Sequence, residues 1–393
     1  MIQTPEFWIV LVGVWLVFWV IPARFRYGFL ALASFSFLTT IAPLSVFALL
    51  GWTLLFFYVV PHTTGEERGS SRLLWSLVLA VLGFLAAFKY IVPVFADQAA
   101  GDGSLQYVIP LGISYYTFKL IHYAIESSRG KFPDRSLDKF LCYMFLFPIF
   151  TAGPIERYDH FLNEQEKVWR RQLAVEGITR IAHGLIKKLV ISGIFLVTLR
   201  NAVVGTSVDL ESLSNLTIAE AWVFVYLAFL ISYLDFSAYS DIAIGCSRLF
   251  GFRIAENFNF PIFAPSISNF WSRWHMTLVS WIQTYIYLPL VGLTRKPALA
   301  TFVVFITIGL WHAASLNWLL WGACHAFGVI VNQTWARYKR KKKLKQFNGL
   351  WWKACGIFMT FSFASVAYVF AETADLGITG AGLVFARLLG LGA

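Results

Sequence analysis

Long runs with hardly a polar residue recur along the whole chain, at about 7–23, 28–43, 44–61, 73–96, 107–126, 174–200, 217–236, 299–315, 317–336 and 350–372. Each is close to the roughly 20 residues that carry a helix across about 30 Å of hydrocarbon. Backbone N–H and C=O groups at that depth have no water to bond, so helices or closed barrels are the only spanning solutions. The pattern therefore predicts an all-α polytopic integral membrane protein with about ten spans. The first run has neither a basic start nor a small-residue cleavage site, and further spans follow it at once; it is expected to remain in the mature protein.

Two stretches break the pattern, 140–172 and 248–292. The first passes through Phe147-Pro148 and Gly153-Pro154 into a mixed-charge segment, and it predicts a re-entrant element followed by a surface helix from Glu156 to Arg171. The second scatters Asn257, Asn259, Pro261, Pro265, Ser266, Ser268, Asn269 and Arg273 among aromatics, so its backbone must lie inside protein or beside water. Neither a solenoid period nor inverted halves can be seen. The expectation is a single integral domain over 1–393, with its chemistry concentrated at about 107–336.

Loop charge adds an orientation. Arg24 and Arg26, then Arg68 and Arg72, then Arg129, Lys131 and Arg135 follow the first, third and fifth spans, and basic loops stay cytoplasmic. The alternate loops, 97–106 with Asp97 and Asp102 and 201–216 with Asp209 and Glu211, hold acids and no Lys or Arg. Arg295, Lys296 and the run Arg337 to Lys345 keep the same register, which puts the amino terminus outside. Composition agrees with a lipid solvent: 58% of the 393 residues are hydrophobic and 13% charged, against about a quarter charged in soluble domains. The net charge of +11 then reads as cytoplasmic loops and implies no nucleic-acid partner. Cys142, Cys246, Cys324 and Cys355 stand singly in apolar segments, without spacing for disulfides or zinc.

Ionisable groups at membrane depth are costly and tend to mark pathways or sites. Asp235, Ser237, Tyr239, Ser240 and Asp241 crowd into one short segment, where they could cap broken helices or line a tunnel. Arg273, Trp274 and His275 follow, then Trp311-His312, then His325 on the next run. Imidazole, with an unperturbed pKa of about 6.5, can take a proton from a hydroxyl near neutral pH and return one to a leaving group. A metal site on these histidines is the rival chemistry, although no two share the i, i+4 spacing. There is no Gly-x-Ser-x-Gly elbow and no Walker or dinucleotide glycine pattern.

Six blocks, in order, carry a resemblance: Pro110 to Phe118 (PLGISYYTF), Phe147-Pro148 with Ala152 to Tyr158 (AGPIERY), Asp235 to Gly245 (DFSAYSDIAIG), Asn257-Phe258-Asn259, Phe270 to His275 (FWSRWH), and Gly309 to His312 (GLWH). Together they resemble the membrane-bound O-acyltransferase family, in its bacterial branch of alginate O-acetylation and lipoteichoic-acid D-alanyl transfer proteins. The resemblance implies a ring of about 10–12 membrane helices around a central tunnel, with His312 as the catalytic histidine and His275 supporting it. Tunnel candidates are Asp235, Ser237, Tyr239, Ser240, Asp241, Asn257, Asn259, Arg273, Trp274, Trp311 and His325.

The same resemblance implies no tightly bound cofactor. The acyl group would arrive on a cytoplasmic donor, acyl-CoA or an acyl carrier protein, and pass to an envelope polysaccharide or an extracytoplasmic acyltransferase partner from the bacterial inner membrane. Arg157, Arg170 and Arg171 are candidates for docking an acidic carrier. Two departures stand out, Ala313 where the family has glycine and Gln283-Thr284 where it has Arg-Asp. Chain length and the stretch Gly153 to Phe161 lean toward D-alanyl transfer, while Asp241 to Gly245 and Ala367 to Ala371 lean toward acetyl, which is the reading taken. A transporter or flippase for an envelope glycan or lipid is the alternative.

Overall fold

The computed structural model describes residues 2–60, 68–92, 111–132, 135–344 and 349–391, with the side chains of 68–70 excepted. The expected outer loop 97–106, Pro110 of the first block and Lys345 lie outside the described residues. Each of the ten apolar runs is helical over its described part: α1 (Pro5–Val20), α2 (Arg26–Ile41), α3 (Pro43–Val59), α4 (Arg68–Ala86, running on to Ile91), α5 (Ile113–Ser128), α8 (Arg171–Val204), α10 (Ile218–Leu249), α13 (Pro297–His312), α14 (Leu316–Lys341) and α15 (Leu350–Glu372). Between them lie α6 (Leu137–Phe145), α7 (Tyr158–Asn163), α9 (Leu210–Ser214), α11 (Ile267–Trp271) and α12 (Met276–Thr294), and α16 (Gly377–Leu388) follows. Among the described residues no strand forms; Gln165 and Phe252 make an isolated antiparallel bridge.

Two expectations are corrected. The segment Glu156 to Arg171 is not one surface helix. It holds only the short α7, after which Glu166 N–H donates to the Gly251 carbonyl at 2.9 Å and Arg253 N–H to the Glu164 carbonyl at 3.3 Å. Those bonds to a distant loop replace the helical ones. The stretch 248–292 is irregular only as far as His275, because α12 is long and apolar enough to cross a membrane. Pro289 removes one backbone donor inside it, and the helix widens into a π-turn over Gln283–Tyr287 just ahead of the proline.

The helices α10 and α12, together with Ser71–Ile91, α8 and α15, meet the length and hydropathy of membrane spans, and α1, α3 and α13 are shorter apolar helices. The chain is thus an all-α multi-pass membrane protein. Its contacts fall into two compact units, Met1–Gly184 with Tyr239–Ala255, and Leu185–Ala238 with Glu256–Ala393. The first packs around aromatics, among them Tyr123, Phe140, Tyr143 and Tyr158, with Phe161 and Phe252 stacked at 4.4 Å. Within it Glu156 is buried and accepts N–H bonds from Arg157 at 2.9 Å and Ala255 at 2.8 Å.

In the second unit α13 and α14 form a tight antiparallel hairpin. A Cβ at Gly309 would collide with the Trp318 carbonyl, and one at Gly322 with the Phe305 carbonyl. Backbones approach this closely only where both faces are small, the usual device of helix pairs in lipid.

Candidate active site

His312 is the last residue of α13, and the hairpin places it. Helix α13 stops because Ala313 is extended, at φ −159° and ψ 153°. Two residues later Ser315 caps α14, its side chain accepting from Trp318 N–H at 3.4 Å. A reach this short puts Trp318 one turn into the next helix and directly on the imidazole: the rings stack at 4.3 Å and 14°. Trp311 and Trp321 meet the same ring edge-on at 4.7 and 5.6 Å. His312 nevertheless remains exposed, so a substrate can reach it. An extended backbone accepts any residue, and so alanine stands at 313 without strain.

His275 sits where the irregular stretch meets α12. Its backbone is left-handed, at φ +44°, a conformation that costs a non-glycine residue about 1–3 kcal/mol and persists only where surroundings enforce it. Asn257 supplies that enforcement. Its carbonyl accepts Met276 N–H at 2.8 Å, and its side-chain oxygen takes both the Thr277 hydroxyl at 2.9 Å and His275 Nδ1 at 2.9 Å. An oxygen that accepts from Nδ1 requires the proton there, which leaves Nε2 of the neutral ring as the acceptor. The imidazole is buried, with Phe236 edge-on at 4.8 Å. The second unit holds both Trp-His pairs.

His325 plays a different part. It is buried on α14, accepts Trp271 Nε1–H at 3.3 Å, and lies edge-on to Trp321 at 4.7 Å. It steadies the tryptophan that in turn contacts His312. Trp274 stacks on Phe229 at 5.6 Å and Phe270 at 5.4 Å, and Asn259 N–H donates to the Arg273 carbonyl at 2.9 Å. These residues, expected along a tunnel, shape the loop that carries His275. Beside Trp271, a cavity of about 360 Å³ opens among Ser268, Gln283, Thr301, Phe305 and Gln333, so Gln283 of the departing pair faces a hollow.

The acidic segment divides. In the second unit Asp235 accepts Lys188 Nζ at 2.5 Å and Ser192 Oγ at 2.7 Å, while Lys187 Nζ donates to Ser237 Oγ at 3.0 Å. Tyr239, Ser240 and Asp241 belong to the first unit. There the Tyr239 hydroxyl bonds Thr151 at 2.7 Å and Ala152 N–H at 3.3 Å, Asp241 pairs with Arg180 at 2.7 Å, and Ser240 is buried. Of the docking candidates, also in the first unit, Arg170 and Arg171 are exposed. Arg157 is half-buried at the start of α7. Arg253 beside Gly251 is taken by Glu166 at 3.3 Å, and the same carboxylate meets Arg248 at 3.1 Å.

Sequence reading passed over Lys187, Lys188, Thr277 and Trp318. The lysines had a signal, two cations inside an apolar run; the other two had none beyond their nearness to a histidine.

The family model for the membrane-bound O-acyltransferase family matches residues 34–370, across α2 to α15 and both histidines. The chain belongs to the membrane-bound O-acyltransferase family. Among its relatives, the probable alginate O-acetylase AlgI of Pseudomonas fluorescens is 34% identical over 284 residues, which are 70% of this chain and 53% of that protein. The teichoic acid D-alanyltransferase of Streptococcus thermophilus is 28% identical over 66% of this chain and 67% of that one. The peptidoglycan O-acetyltransferase of Helicobacter pylori is 28% identical over 70% of this chain and 56% of its own length. The match spans about half the length of the alginate O-acetylases. Membership accounts for the all-α, multi-pass architecture, and both histidine blocks fall inside the matched region.

Proposed function

We propose that this protein transfers a small acyl group from a thioester donor to a hydroxyl of a cell-envelope polysaccharide or of an extracytoplasmic partner, with His312 as general base and His275 positioning it. The observation that carries this reading is the paired imidazoles of the second unit, one exposed between tryptophans and one buried with its tautomer set by Asn257. His312 takes the hydroxyl proton as the oxygen attacks the thioester carbonyl carbon. The carbon–sulfur bond breaks, and the imidazolium returns the proton to the departing thiolate, so that an ester and a thiol result.

Acetyl is the group proposed, supported by the 34% identity to an alginate O-acetylase against 28% to a D-alanyltransferase. The donor, acyl-CoA or an acyl carrier protein, reaches the protein from the cytoplasm of a bacterial inner membrane, and the amino terminus lies outside; the basic loops after α1, α3 and α5 and the acidic loop 201–216 support that orientation. An acidic carrier would meet Arg157, Arg170 and Arg171, and charge reversal at all three should cut transfer from the carrier without lowering expression.

The deciding experiment is His312→Gln in the purified full-length protein. Glutamine keeps size and hydrogen bonding but cannot cycle a proton, so acyl transfer should fall by about 10²–10⁴-fold while folded yield and melting temperature hold. Retention of more than about a tenth of the activity would remove His312 from the chemistry and favour a transporter.

A further inference from the structure

The first unit contains a polar hollow of about 270 Å³, which the acyl-transfer reading does not use. Its walls carry four cations, Arg24, Arg26, Lys139 and Lys167, and one carboxylate, Asp138. Asp138 is engaged by the Ser136 hydroxyl. Arg26 is built into the wall: its guanidinium donates to the carbonyls of Ile21 at 3.0 Å, Trp19 at 3.3 Å and Lys167 at 2.7 Å, which leaves its charge unneutralised while fixing the segment that bears Lys167. Arg24 lies over Phe25 at 4.6 Å and Lys139 by Tyr27 at 6.0 Å. Among the described residues none of the four cations makes an ion pair.

Like charges gathered round a concavity repel one another unless an anion enters it, and lysine and arginine are the usual partners of phosphate. What surrounds the hollow points to the source of that phosphate. It lies just past the apolar helix α1, which closes at Val20, and its lining residues adjoin along the chain four exposed apolar side chains: Val20, Phe25, Val168 and Trp169. Water-facing loops do not ordinarily carry such a rim, whereas the headgroup level of a bilayer does.

We propose that this hollow binds the phosphate headgroup of an anionic membrane lipid, with Arg24, Lys139 and Lys167 contacting the phosphate and the rim meeting its acyl chains. Basic pockets between membrane helices are suited to such headgroups. The site is independent of the histidine pair.

The test is native mass spectrometry of the full-length protein exchanged against dioleoylphosphatidylglycerol and dioleoylphosphatidylcholine. The parent should retain one phosphatidylglycerol at concentrations where phosphatidylcholine is lost. The triple variant Arg24→Gln, Lys139→Gln, Lys167→Gln should lose that preference by roughly tenfold or more, with an unchanged melting temperature in lipid-free detergent. A control triple, Lys341→Gln, Lys342→Gln, Lys343→Gln, should keep it. Equal retention of the two lipids, an unaffected site triple, or loss in the control triple alone would overturn the proposal. So would inorganic phosphate binding in the absence of lipid and excluding it, which would make the ligand soluble.

Discussion

Asn257 holds His275 and the residue after it: its side-chain oxygen accepts His275 Nδ1–H at 2.9 Å and its backbone carbonyl accepts Met276 N–H at 2.8 Å. One residue thus bears on both the left-handed backbone of the histidine and the ring nitrogen that carries its proton.

Removing that side-chain oxygen should therefore act on chemistry and stability together. Asn257→Leu strands two buried donors, at a cost of about 1–3 kcal/mol each, and should lower the melting temperature as well as transfer. Thr277→Val removes one of these donors and keeps the His275 bond, so it should cost less in both. Thermal melts and initial rates on the two variants check this ordering, and equal losses would count against it.

Gly309→Leu should break the α13–α14 hairpin at the point that places Trp318 on His312. Overpacking of this kind costs about 1–3 kcal/mol, and the added side chain must push against backbone. We expect transfer to fall further than folded yield, because the ring stack is displaced before the helices separate. A variant with normal transfer would show that the stack is not needed.

Lys188 and Asp235 are each about a third exposed, at 29% and 38%, so the pair is partly screened and worth about 1 kcal/mol or less. Lys188→Met leaves a carboxylate at membrane depth without its cation and should reduce folded yield. Adding Asp235→Asn should restore it, since the double variant leaves no unmatched charge. A double variant worse than either single would mean that the two residues act elsewhere.

His160 Nδ1 lies 2.8 Å from the Glu156 carboxylate, and that contact, against the opposing effect of burial, raises its pKa above the ordinary 6.5. The protonated ring is favoured in the folded state, so the contribution is fully present below about pH 6.5 and is lost as pH rises through the raised value. Melting temperature should fall across that window in the parent and stay flatter in His160→Gln. Identical pH profiles would exclude the pair as the cause.

Orientation is open to cysteine labelling of intact cells. A membrane-impermeant reagent should reach engineered cysteines in 201–216 and in 97–106, the latter outside the described residues, and should miss those in 129–132. The opposite pattern would invert the topology.

Hydropathy is a local property, and most of the long helices were accordingly legible: α1 to α5, α8, α10 and α13 to α15 lie where apolar runs predict them, whereas α12 was missed. The break from Phe250 to His275 was legible for the same reason, since prolines and amides cannot be left unsatisfied in lipid. Both Trp-His pairs could be read from spacing and resemblance. Which residues answer them could not, because the partners come from distant segments: Lys188 reaches Asp235 across 47 residues and Trp271 reaches His325 across 54. Asp235 and Asp241 look equivalent in sequence, yet the fold assigns one to a lysine of the second unit and the other to Arg180 of the first. The extent of α12 depended on how a helix absorbs Pro289, and the loss of a helix at Glu156 to Arg171 on backbone partners near Gly251. Apolar pattern determines where a chain must be helical in lipid; which polar groups then neutralise one another is decided only when the helices meet.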